Sequence, residues 1–166
     1  MAETGSIAIF TTGGTIDKIY FDELSAFQVG SPQIGEVLKH AHVNFTFRAH
    51  PLMRKDSLEI TAEDRAEIAA AIRACPEQRI LITHGTDTMV ETACTLGSQS
   101  EKTVVLTGSL TPARFRESDA IFNIGFAAAA VQILPPGVYI TMNGTVFPLP
   151  DVRKNREANR FERTSQ

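Results

Sequence analysis

The chain has 166 residues, enough for one domain that buries its core without disulfide staples. A formal net charge of −3, with 21% charged residues, excludes the basic surface a nucleic-acid binder needs. No apolar run approaches the roughly 20 residues of a membrane span, and the N-terminus lacks the basic and apolar segments of a signal peptide, so a cytoplasmic location is expected.

The first strand is 6–11. Ile7, Ala8, Ile9 and Phe10 form an unbroken apolar run, as a strand covered on both faces requires. Gly13-Gly14 then lets the backbone turn where a side group would clash. This places the Thr12 hydroxyl at the carboxyl end of a strand, where open α/β sheets bind ligands. The stretch 17–30 mixes Lys18, Asp22 and Glu23 with Ile19, Tyr20, Phe21, Leu24 and Phe27 without a clean period. It reads either as a mobile loop or hairpin that closes over a site, or as an exposed connector anchored by aromatics.

Ser31-Pro32 predicts a helix start, with Ile34, Val37, Leu38 and Ala41 on one face. Alternation over 43–47 predicts a second strand, broken by His50-Pro51. After a loop at 55–60, Thr61 and Asp64 are spaced as a capping box for a helix ending near Ala74, with Ile68, Ala71, Ile72 and Cys75 inward. The third strand is 79–83 and runs into His84-Gly85-Thr86-Asp87. A helix follows from Thr88 to Gly97. The fourth strand is 103–106, the loop 110–117 carries two arginines, and Ser118-Asp119 caps a long apolar helix ending near Leu134. The fifth strand is 138–142, followed by an Asn143-Gly144 turn. Residues 1–150 are expected to form the α/β domain, and the charged segment 151–166, which carries Lys154, is expected to be an amphipathic helix or disordered. Five strands alternating with four helices predict a three-layer αβα fold around a mostly parallel sheet.

Cys75 and Cys94 have no CxxC spacing and read as buried free thiols. His40 and His42 read as an exposed pair rather than a metal site, and His84 as either a structural histidine or a hydrogen-bonding support of the site. Phe10, Phe45, Phe47, Phe122 and Phe126 read as core by their spacing. The Thr12-Gly13-Gly14-Thr15 turn lacks the third glycine of a dinucleotide loop and the Gly-Lys-Ser/Thr of a P-loop.

If the first and third strands are neighbours, Thr12, Thr86 and Asp87 face one crevice. A threonine hydroxyl needs a base or relay beside it to act as a nucleophile. Lys154 and Asp87 supply an amine and a carboxylate for a Thr–Lys–Asp relay. Backbone N–H groups at the glycine turns are suited to hold an oxyanion, so the residues point to acyl transfer or amide hydrolysis. Thr86 and Asp87 fit equally well as simple helix caps.

Thr11-Thr12-Gly13-Gly14-Thr15-Ile16 and His84-Gly85-Thr86-Asp87-Thr88-Met89 resemble the two signatures of the bacterial-type asparaginase/glutaminase family. The stretches Val104-Val105-Leu106-Thr107-Gly108-Ser109, Asp119 with Phe122-Asn123, Met142-Asn143-Gly144-Thr145-Val146 and Asp151-Val152-Arg153-Lys154 resemble its later landmarks in the same order. The resemblance implies a flavodoxin-like fold and hydrolysis of a small amide, by default L-asparagine, through an acyl-enzyme with release of ammonia. It implies Thr12 as nucleophile and Thr86, Asp87 and Lys154 as relay. It places Gly13, Ser57, Gly85, Thr86 and Asp87 against substrate, with Asp87 on its ammonium and Ser57 on its carboxylate. It implies no metal and no organic cofactor, and a homodimer is expected.

The sequence departs from that pattern at three points. It stops where the family's smaller second domain would begin. Phe27 stands where the family has a loop tyrosine, and Tyr20 is the replacement candidate. Leu58 follows Ser57 where the family has a polar substrate ligand. Loss of a proton relay is expected to lower activity by roughly 10²–10⁴-fold. Two other readings follow: a non-catalytic amino-acid-binding or regulatory module that keeps the crevice, or a domain completed by a separate partner protein.

Overall fold

The computed structural model describes residues 5–21 and 26–165. Residues 1–4, 22–25 and 166 lie outside it, including the N-terminal residues read for a signal peptide and Asp22, Glu23 and Leu24 of the predicted loop. In sequence order the elements are β1 (Ile7–Gly13), β2 (Lys18–Phe21), β3 (Ala26–Val29), α1 (Ile34–His40), β4 (Phe47–Lys55), α2 (Ala62–Ala74) and β5 (Arg79–Thr83). They continue with α3 (Met89–Thr95), β6 (Thr103–Thr107), α4 (Ala120–Ile133), β7 (Gly137–Met142), β8 (Thr145–Pro148), β9 (Arg153–Asn155) and β10 (Arg160–Glu162).

The main sheet has six strands in the order β4-β1-β5-β6-β7-β8. The first five are parallel and β8 is antiparallel to β7. Successive residues of a strand serve opposite layers. Ala8, Phe10, Ile80, Ile82, Val104 and Leu106 pack against Ile68 and Ile72 of α2 and Met89 and Ala93 of α3. Ile7, Ile9, Leu81 and Val105 pack against Ile34 and Leu38 of α1 and Ile124, Ala127 and Val131 of α4. The expected three-layer α/β fold is therefore present, and β1 and β5 are neighbours in register from Ile7 with Arg79 to Thr11 with Thr83. That register brings the Thr12 and Gly85 turns to the same edge of the sheet.

Several local readings change. The second strand is Phe47–Lys55, not 43–47, and it runs through His50-Pro51. Pro51 is tolerated because β4 is an edge strand, where a missing N–H costs no ladder bond. Ser31 does not cap α1: the Gln33 N–H instead donates to the Asp17 carboxylate at 2.9 Å, from across the glycine turn. The Thr61–Asp64 capping box forms with both reciprocal bonds, at 2.8 and 3.2 Å. Asn143-Gly144, with φ of 47° and 84°, is the tight turn of a β7–β8 hairpin, and β8 adds a strand to the five expected for the sheet. Phe122 is exposed and stacks on Phe126 at a centroid distance of 6.2 Å, so it is not core. Cys75 is buried as expected, but Cys94 is exposed. His40 and His42 are both exposed.

The segment 151–166, expected as helix or disorder, is a hairpin: β10 pairs antiparallel with β9, Phe161 against Lys154. Its anchors are apolar, with Val152 and Phe161 buried in the α2–α3 side of the core. Its ends are tied by Asp151, which accepts bonds from Arg163, Thr164 and Ser165. The bonds from Ser165 and Thr164 hold the Asp151 carboxyl far below the usual carboxylate range. Within the stretch 17–30, Lys18–Phe21 and Ala26–Val29 form a second hairpin.

Candidate active site

Three turns at the carboxyl edge of the sheet interlock through their backbones. Gly13 and Gly14 hold φ of 100° and 87°, a region that disfavours side chains. A Cβ on Gly14 would lie 2.4 Å from the Gly85 Cα, and one on Gly85 would lie 2.6 Å from the Ser57 Cβ. Gly14 N–H donates to the Lys55 carbonyl at 2.9 Å. The turns after β1, β4 and β5 are thus in direct contact, which brings the backbones carrying Thr12, Ser57 and Thr86 together.

Lys154 enters this group from β9. Its Nζ donates to Thr86 Oγ1 at 2.7 Å and to Asp87 Oδ1 at 2.6 Å. The lysine side chain is 8% exposed, whereas that of Asp87 is 38% exposed. One end of the ion pair is therefore dry and the other opens to solvent. Arg156 adds a bond of 3.4 Å to the Asp87 carbonyl. The helix-cap alternative for Thr86 and Asp87 does not hold: α3 begins after Thr88 with no hydrogen bond from a capping side group, and both residues spend their polar atoms on Lys154.

Thr12 is fully buried, and its hydroxyl donates to the Thr83 carbonyl at 3.0 Å. A carbonyl is no base, so this bond orients the hydroxyl without activating it. Tyr20 lies on the β2–β3 hairpin, 52% exposed, with its ring packed on Phe27 at 5.3 Å. The structure therefore turns Tyr20 toward the hairpin surface and Phe27 rather than pairing its hydroxyl with Thr12.

Ser57 is buried, and its carbonyl accepts a 2.6 Å bond from the hydroxyl of Thr88. Thr88 has no role in the sequence-based assignment; here it clasps the Ser57 turn to the Thr86–Asp87 turn. The only signal for it is its place inside the second motif. His84 is fully buried, with Nδ1 2.7 Å from the Gly85 carbonyl and Nε2 2.8 Å from Thr92 Oγ1. A carbonyl can only accept, so Nδ1 carries the proton and Nε2 accepts from Thr92. Burial lowers the His84 pKa to about 4, and the imidazole stays neutral as a brace for the Gly85 turn. On the far side of the crevice, Asp119 accepts from the backbone of Leu110 and Thr111 and from the Asn123 and Asn143 amides, which fixes the loop after β6. Ser118 makes the α4 cap bond, accepting from Ala120 N–H, which leaves Asp119 to hold that loop.

Asp17 sits beneath the Thr12 turn, 2% exposed, and desolvation pushes its pKa up to about 7 despite the bond from Gln33 and the field of Arg54. Its folded value exceeds the ordinary value of 3.8, so it favours folding most at low pH and that contribution is lost as pH rises through about 7. The neutral His84 acts in the opposite sense, its contribution falling as pH drops from 6.5 toward about 4. Asp17→Asn keeps the acceptor for Gln33 and removes the ionisation. It is expected to stabilise the fold against urea by about 4 kcal/mol at pH 8, shrinking below about 2 kcal/mol at pH 5. A gain that does not change with pH would refute this account of Asp17.

These features define an α/β domain with a hydroxyl–amine–carboxylate cluster at the carboxyl edge of its sheet. Residues 6–163 match the family model described as asparaginase, N-terminal, and the chain belongs to that family. It is 32% identical over 164 residues to a probable periplasmic L-asparaginase of Haemophilus influenzae, an alignment spanning 92% of this chain and 47% of that protein. Among solved structures, L-asparaginase I from Vibrio cholerae superposes with a TM-score of 0.84 at 27% identity, over 96% of this chain and 51% of that one. A probable cytoplasmic L-asparaginase from Campylobacter jejuni superposes with a TM-score of 0.81 at 28% identity, over 97% and 53%. The chain spans about half the length of the relatives it matches. Among the described residues, no helix is long and apolar enough to cross a membrane.

Proposed function

We propose that the domain hydrolyses the side-chain amide of a small amino-acid amide, L-asparagine in the first instance, with Thr12 as nucleophile. The observation that carries this is the paired contact of one buried lysine with Thr86 and Asp87, 68 and 67 residues away in sequence. Thr12 Oγ1 attacks the carboxamide carbon and its proton passes to the Thr86–Lys154–Asp87 relay. The C–N bond breaks and the nitrogen leaves as ammonia after taking a proton from the relay. Water then cleaves the Thr12 ester to release the carboxylate and restore the hydroxyl. Asp87, exposed on its crevice side, takes the substrate ammonium, Ser57 faces its carboxylate, and the N–H groups of the Gly13 and Gly85 turns face the developing oxyanion. The test is ammonia release from L-asparagine: Thr12→Ala is expected to abolish it with the fold intact, and unchanged release would overturn the assignment.

A second reading is favoured by one feature of the site. Tyr20 faces away and Phe27 has no hydroxyl, which fits a binding module that holds an amino acid without turning it over. A thermal shift with aspartate in the absence of any turnover selects that reading.

A homodimer in the cytoplasm completes the proposal. Two free thiols suit a reducing compartment. Ile121, Phe122, Gly125, Ala129 and Ile133 are exposed along one stripe of α4 with no charge among them. A helix apolar on all sides is normally buried on all sides, and a second copy of the protein packs over this stripe in the proposed assembly. Ile133→Glu is expected to convert a dimer to a monomer in sedimentation. A wild-type monomer would rule the assembly out.

A further inference from the structure

Resting on the hydrolase reading above, we infer that the preferred substrate is an N-terminal asparaginyl peptide with an apolar second residue, over free asparagine. The argument starts at Leu58. It follows Ser57 directly, yet it is 66% exposed and its side group offers no hydrogen bond to a free carboxylate. Beyond it lies a cleft of about 630 Å³ between the β2–β3 hairpin and the turn after β4. Phe27, Val29 and Leu58 line this cleft and give it apolar walls. Phe27 is itself half exposed and packs at a tilt against Phe115, with ring centroids 5.9 Å apart. The cleft adjoins the reacting centre, because the Val29 side group reaches within 2.9 Å of where a Gly13 Cβ would stand.

The charges around the cleft separate into engaged and available groups. Lys18 is paired with Asp56 at 2.7 Å, and Glu59 accepts from the Asp56 backbone N–H at 3.2 Å. Arg54 lines the same cleft and, among the described residues, forms no ion pair within 4 Å. Its field reaches the buried Asp17 carboxyl, where it opposes the larger upward effect of burial. An asparaginyl dipeptide matches each group in turn. Its α-ammonium goes to Asp87, its side-chain amide to Thr12 and its peptide carbonyl to Ser57. The apolar second residue lies on Leu58 and Phe27, and the terminal carboxylate meets Arg54. Free asparagine leaves the apolar walls wet and has no second anionic group to offer Arg54. The bond broken is still the C–N bond of the asparagine carboxamide, with ammonia released and the peptide bond intact.

The experiment compares ammonia release from L-asparaginyl-L-phenylalanine and from L-asparagine. In the unaltered protein kcat/KM is expected to favour the dipeptide by about tenfold or more. That ratio is expected to collapse in Arg54→Ala and to fall in Leu58→Gln, both surface changes. A ratio at or below one, or a ratio unmoved by both variants, overturns the inference while leaving the hydrolase reading in place. If neither compound yields ammonia, the hydrolase reading fails and calorimetric binding decides the remainder. Tighter binding of the dipeptide, weakened in Arg54→Ala, supports the subsite, and equal or absent binding of the two compounds overturns it.

Discussion

Lys154→Met is expected to lower the proposed ammonia release by about 10²–10⁴-fold, the range typical for a single positioned proton-transfer group. The methionine keeps most of the apolar stem, so the β9–β10 hairpin retains its anchors Val152 and Phe161. Asp87 is left without its partner but is open enough to be solvated, so the fold survives. Lys154→Arg separates charge from proton transfer. Arginine keeps a cation beside Asp87 but does not deprotonate in proteins, so it restores the pair and not the turnover. Undiminished turnover in Lys154→Met, measured with circular dichroism to show a native fold, would remove the lysine from the mechanism.

The second large effect is on the backbone. Gly14→Ala is expected to cost on the order of 4 kcal/mol, a large share of the total stability of an ordinary domain. The reason is the joint demand of φ at 87° and a Cβ position only 2.4 Å from both the Gly85 Cα and N, atoms that cannot swing aside. Gly97→Ala is the control. It has φ of 63° but nothing within 4 Å of its Cβ position, so only the conformational cost of about 1 kcal/mol applies. Urea midpoints for the two variants measure the difference. Equal midpoints would mean that the two turns are not locked together.

Features encoded over a few residues are legible in the sequence. The Thr61–Asp64 box, the Asn143-Gly144 turn and the apolar strands β1, β5, β6 and β7 are all local patterns, and each is present. The two motif turns are legible for the same reason, but their meeting at one sheet edge is only a conditional reading until β1 is seen to pair with β5. What the sequence hides is decided at a distance. His50-Pro51 reads as a break because nothing local says that β4 will lie at an edge. The bond at the entry to α1 goes to Asp17, 16 residues upstream of the Gln33 N–H that donates it. The β9–β10 hairpin is made of three-residue strands rich in charge, which carry no alternation to read; burial of Phe161 beneath it defines the fold there. Proximity in sequence puts Tyr20 near the chemistry, and the hairpin pairing turns it onto Phe27 instead.

The route by which Lys154 reaches the site has a consequence for synthesis. Every strand of the parallel sheet precedes position 143, and the Thr86–Asp87 turn is complete long before the lysine is made. A nascent polypeptide grows from its N-terminus, so the sheet and both motif turns leave the ribosome ahead of the hairpin. Such a polypeptide holds the proposed nucleophile Thr12 and the Asp87 carboxylate but not the Lys154 amine. The proposed chemistry is thus switched off in every incomplete product, and it begins only when Phe161 docks and carries β9 into place.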